Sequence, residues 1–100
     1  MKRFLWAALL ATAIAPITAE AGPIDQACMA SNQKQKSWAL CRCIQDVANQ
    51  TLSRADQRRA AKFFQDPHKA QEIRQSDSRT HEKFWLRYKE FGAAASATCK

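Results

Sequence analysis

The chain has 100 residues, four cysteines and a formal charge of +7, from 16 basic and 9 acidic side chains. That length allows one small domain. It excludes a multi-span permease, which needs several apolar runs of about 20 residues each, and a two-lobed solute-binding protein. A core of this size supplies on the order of a few kcal/mol of net stability, so covalent cross-links or a partner are expected.

The first residues read as an export signal. Lys2 and Arg3 form a charged start, Phe4 to Ile17 is an apolar run too short to span a bilayer, and Ala19-Glu20-Ala21 places small residues where a signal peptidase cuts. Cleavage is expected after Ala21, the alternative being an uncleaved membrane anchor. This gives a signal peptide over 1–21 and a single helical domain over 22–100, periplasmic or secreted, with no membrane span left. No lipoprotein box precedes Cys28, and Lys2-Arg3 is not a twin arginine. Without Lys2, Arg3 and Glu20, 14 basic side chains face 8 acidic ones, so the exported part is basic in its own right. Four cysteines in an exported chain form a disulfide framework.

Pro23 suits the first turn of a helix, and the sequence from Ile24 to Ala30 reads as a short helix ending near Ser31-Asn32, followed by a polar turn over Gln33 to Lys36. The second helix, through Thr51-Leu52, carries Cys41 and Cys43. At about 100° per residue, Cys43, Val47, Leu40, Ile44, Ala48 and Cys41 fall on one arc centred near Ile44, with Arg42, Asp46 and Asn49 opposite. Two cysteines at i and i+2 point in different directions, so each reaches a different neighbour. A hairpin about the polar turn favours Cys28–Cys41 and leaves Cys43–Cys99. The swapped set, Cys28–Cys43 with Cys41–Cys99, stays open, whereas Cys41–Cys43 would distort the helix. In the chain-entropy model the favoured bonds contribute about 3 and about 4 kcal/mol.

Ser53 with Asp56 three residues on is an acidic variant of the capping box, and starts a third helix from Arg54 to Gln65. Ala60, Ala61, Phe63 and Phe64 take one side of it; Arg54, Arg58, Lys62 and, more loosely, Arg59 take the other. Asp66-Pro67 ends this helix and caps a short fourth one over His68 to Gln75. Ser76-Asp77-Ser78 predicts a restart. A long fifth helix then runs from Arg79 to Thr98, with Phe84, Tyr88, Phe91, Ala95 and Cys99 on one stripe. That stripe is expected to pack on the second helix, with Gly92 allowing a close helix approach. Trp38 and Trp85 are expected to complete the core. With no β-alternation, the class is all-α: a small five-helix disulfide-stapled bundle, a helical hairpin plus a long C-terminal helix.

Little in this chain points to catalysis. Cys41-Arg-Cys43 lacks the spacing of a thioredoxin pair or a haem attachment. His81-Glu82-Lys83-Phe84-Trp85 lacks the second histidine of a zinc protease. His68 and His81 read as exposed helix-start residues, Asp77 being a local partner for His81. There is no nucleophile elbow, phosphate loop or recognisable carboxylate pair. No enzyme activity, cofactor or metal is expected. The basic set is the one candidate site: Arg54, Arg58, Arg59 and Lys62, continued by His68, Lys69, Arg74 and Arg79. Its partner would be an anionic envelope component or an acidic protein; export argues against nucleic acid. A membrane-active peptide would need apolar surface exposed beside the basic one.

The run Leu40-Cys-Arg-Cys-Ile-Gln-Asp-Val-Ala, the stretch from Thr51 through Phe63-Phe-Gln-Asp-Pro-His to Ser76-Asp, and His81-Glu-Lys-Phe-Trp-Leu-Arg-Tyr together resemble a family of small exported four-cysteine helical proteins of Gram-negative bacteria. The likeness covers nearly all of residues 22–100. Some members are labelled "arginine transporter", which implies at most an accessory role in amino-acid transport or small-solute binding, through a pocket between the third and fifth helices. It implies no catalytic or binding residue.

Overall fold

A computed structural model describes residues 22–100. The expected export signal, 1–21, lies outside the described residues. Five helices follow one another: α1 Pro23–Ala30, α2 Trp38–Thr51, α3 Arg54–Gln65, α4 Pro67–Arg74 and α5 Arg79–Thr98. No strand occurs among the described residues.

Each boundary has a local cause. Ser37 Oγ accepts from the Leu40 N–H and Ser53 Oγ from the Asp56 N–H, capping α2 and α3. Asp66 Oδ1 accepts from the His68 N–H at 3.1 Å, with Pro67 behind it as the first residue of α4. Ser78 Oγ accepts from the His81 N–H. α1 is too short to hold itself together, and both its ends are satisfied from α2 or its approach. Gln45 Oε1 accepts from the N–H groups of Ile24 and Asp25 at 2.9 and 3.0 Å. At the other end, Lys36 Nζ donates to the carbonyls of Met29 and Ser31.

Two disulfides fix the frame. Cys28–Cys41 closes the α1–α2 hairpin and Cys43–Cys99 ties the end of α5 to α2, with Cα separations of 5.6 and 5.8 Å. Of the two pairings the sequence left open, this is the hairpin set. α1 lies against both α2 and α3, α5 packs chiefly on α2, and α4 bridges α3 and α5. Ile24, Val47, Ala48, Leu52, Ala60, Phe63, Phe84 and Phe91 make the core. The rings of Phe63, Phe84 and Tyr88 meet at centroid distances of 5.1 to 6.0 Å, filling the space between α3 and α5.

Three expectations are corrected. Trp38 is 71 % exposed, not core. It is the first residue of α2, one turn before the Cys28–Cys41 staple, where little covers it. Gly92 opens onto free space, since a Cβ there would meet nothing within 4 Å, so among the described residues no other helix approaches it closely. His81 Nδ1 pairs with Ser76 Oγ at 2.7 Å rather than with Asp77, because Ser78 starts the helix and Ser76 lies nearer the ring. Trp85 is half-buried, its ring 5.4 Å from that of Tyr88.

The buried face of α2 is also turned from the expected arc. Cys41, Gln45, Val47 and Ala48 are buried while Ile44 is only partly so. The reason is Gln45, which is drawn inward. Its amide nitrogen donates to Asn49 Oδ1 at 2.8 Å and to Gln57 Oε1 at 2.7 Å. Gln57 Nε2 then donates to Asn49 Oδ1 and to the carbonyls of Ala48 and Leu52 at the end of α2. One polar network therefore joins the start of α1, the end of α2 and the start of α3.

Candidate functional site

α3 sets out the cationic residues by its pitch. Arg54, Arg58 and Lys62 are four apart, so they rise along one exposed stripe. The opposite side carries buried Ala60 and Phe63, which fixes the helix rotation. Arg58 and Lys62 border an open groove of about 400 Å³ between α1 and α3. Pro23, Ala27 and Ala30 of α1 and Ala61 of α3 give it apolar walls, with Gln26 and Gln65 at its rim, and among the described residues no acidic side chain lines it. The small alanine side chains let the two helices lie close while leaving this furrow at their seam.

The remaining cations of the candidate set go elsewhere. Arg59 turns towards α5, its guanidinium 5.2 Å from the centre of the fully buried Phe84 ring. Packing and a cation–π contact account for it. Lys69 lies 4.0 Å from Glu72 in an exposed pair on α4, and Arg74 ends the same helix, where a positive charge suits the exposed carbonyls. His68 is exposed at the start of α4. Arg79 is the exposed first residue of α5, so the eight candidates resolve into a stripe of three, Arg54, Arg58 and Lys62, and five residues placed elsewhere.

The strongest charge pair contains a residue outside that set. Arg87 of α5 donates to both carboxylate oxygens of Asp56, at 2.6 and 3.1 Å. This hydrogen bond raises the Arg87 guanidinium above its already high ordinary pKa. Asp56 is the residue whose N–H is capped by Ser53, so its carboxylate leaves the helix start and clamps α5 instead. Two bonds in a planar fork fix direction as well as distance. Arg54, Arg58 and Lys62 have no such pair among the described residues.

Among the described residues no cluster of His, Cys, Asp and Glu could hold a metal ion, and all four cysteines are spent in disulfides. No helix there is long and apolar enough to cross a membrane. Asp25 is buried in the first turn of α1, with one carboxylate oxygen lacking a hydrogen-bond partner. Phenol burial raises the pKa of Tyr88; it is the sole tyrosine of the chain. No family model matches this chain, and no curated protein and no solved structure is similar to it.

Proposed function

We propose that this protein is a non-enzymatic interaction module of the bacterial envelope, periplasmic or secreted, whose α3 stripe takes an anionic group on an envelope component or an acidic protein. One observation carries the reading. Among the described residues, Arg54, Arg58 and Lys62 have no ion-pair partner along their face, and two of them flank a groove with apolar walls and no acidic lining. Unpaired cations at the rim of a furrow raise the local concentration of anions. The alanine walls suit a ligand that carries an apolar part beside its charge.

The family resemblance supports export and a stapled helical domain, and adds no site. The accessory-transport alternative asks for a solute pocket between α3 and α5, and the rings of Phe63, Phe84 and Tyr88 lie there. No observation favours that second reading.

The experiment is an NMR titration with two soluble probes, inorganic pyrophosphate and a glutamate-rich peptide, at low and high salt. Amide shifts are expected to concentrate at Ala27, Ala30, Arg58 and Lys62, to weaken steeply with salt and to vanish in Arg58→Glu/Lys62→Glu. Shifts scattered over all exposed cations, or undiminished in that variant, would mean that the stripe is only a solvated face.

A further inference from the structure

The exposed indole of Trp38 has a setting of its own, distinct from the α3 stripe. The residues joining α1 to α2 bring Lys34 and Lys36 to this end of the bundle, and Arg42 follows Trp38 one turn along α2. Trp38, Ala39 and Arg42 border an open concavity of about 280 Å³. The Ser37 cap holds the start of α2 in place, so the indole projects from a formed helix rather than from a slack loop. Between Asp25 and Asp46 the chain has no acidic residue. Lys36 is occupied at the end of α1, but Lys34 and Arg42 have no ion-pair partner among the described residues.

We propose that this end of the bundle docks on the surface of an anionic phospholipid bilayer, with Trp38 at the headgroup level and Lys34 and Arg42 against the lipid phosphates. A tryptophan ring favours that depth because it joins an apolar body to one N–H donor. Cations beside a negative leaflet each strengthen the attachment. The surroundings of the indole decide between lipid and protein as the occupant. A tryptophan that anchors a protein contact sits among apolar neighbours that keep water out. Around Trp38 the neighbours Gln35, Ser37, Ala39 and Arg42 are all exposed, and three of them are polar. A bilayer needs no such rim and no matching pocket. Attachment of this kind is peripheral and reversible, and it uses none of the groove residues of α3.

The test expresses the full chain, reads the N-terminus of the purified product, and measures its sedimentation with vesicles of phosphatidylglycerol or of phosphatidylcholine while following tryptophan emission. With phosphatidylglycerol alone, partitioning with a blue shift is expected, together with quenching by brominated acyl chains. Trp38→Phe abolishes the quenching, and Lys34→Glu/Arg42→Glu lowers partitioning by about tenfold or more. Arg58→Glu/Lys62→Glu lowers it less than Lys34→Glu/Arg42→Glu does and leaves the quenching of Trp38 in place, which keeps this result separate from that of the α3 stripe. Near-UV circular dichroism checks that each variant keeps the fold. Four outcomes would overturn the proposal. They are no partitioning, partitioning indifferent to the Trp38, Lys34 and Arg42 variants, loss only with the α3 variant, or a response to a glutamate-rich peptide and not to vesicles.

Discussion

Gln45 shows how much one uncharged polar side chain can hold. Its oxygen satisfies two N–H groups at the start of α1, and its nitrogen reaches Asn49 and Gln57. Removing it leaves buried donors without partners, at a cost of about 1–3 kcal/mol each before water relaxes in. Gln45→Ala is therefore expected to lower stability by about 3 kcal/mol in urea unfolding, whereas the exposed Gln50→Ala should change it by less than about 0.5 kcal/mol. Gly22 belongs to the same site. A Cβ there would sit 2.4 Å from the Gln45 side-chain amide, so in Gly22→Ala that amide, the end of a flexible side chain, must shift and strain its hydrogen bonds. The expected cost is about 1–3 kcal/mol. Tyr88 gives a separate test by pH. Burial raises its pKa, so the folded state favours the neutral phenol. That contribution is fully present below the unfolded value, near pH 10, and is lost as pH rises through the folded value. Because the chain has one tyrosine, absorbance of the phenolate should titrate at higher pH in the folded protein than in guanidinium. Coincident curves would show that the ring is open to water.

At the scale of elements, most of this fold was legible in the sequence because it is punctuated. Ser37, Ser53, Asp66-Pro67 and Ser78 are all capping residues, and each stands where a helix begins. The aromatic stripe of α5 likewise gave its buried face, Phe84 and Phe91 being buried and Tyr88 partly so. What the sequence did not disclose has a common physical cause. Glutamine carries no burial signal, so nothing marked Gln45 and Gln57 as interior; only tertiary partners draw them in. Trp38 failed the opposite way, since its size argues for the core but its place at the first residue of α2 leaves it uncovered. Of the candidate site, the stripe followed from helical spacing, while the diversion of Arg59 to Phe84 required knowing where α5 lies. The Asp56–Arg87 fork links residues 31 apart and had no sequence signal either. A double-mutant cycle on that pair should give about 1 kcal/mol, modest because Arg87 remains nearly half exposed. The two disulfides should separate by region. Cys43→Ala/Cys99→Ala is expected to cost about 4 kcal/mol and to speed amide exchange in the last turn of α5. Cys28→Ala/Cys41→Ala removes a tie worth about 3 kcal/mol and adds a cavity at buried Cys41, so its cost should match or exceed the first. Its exchange signature should fall on α1.

For the whole molecule, the two bonds to α2 make a small core sufficient. α2 holds α1 through Cys41 and α5 through Cys43; α1 in turn packs on α3, and α5 on α3 and α4. The rigid result displays cations in two places, along α3 and around Trp38, without spending them on internal pairs. Both proposed uses depend on that frame being oxidised in this pattern. The most direct test of it is a non-reducing peptide map of the purified protein, denatured at acidic pH with free thiols alkylated to prevent exchange. Trypsin cuts after Arg42, which parts Cys41 from Cys43 and makes the pairing readable. The account predicts one linked pair joining the peptide of Cys28 to that of Cys41, and another joining the peptide of Cys43 to that of Cys99. Crossed pairs, Cys28 with Cys43 and Cys41 with Cys99, or alkylated thiols at these positions, would contradict it.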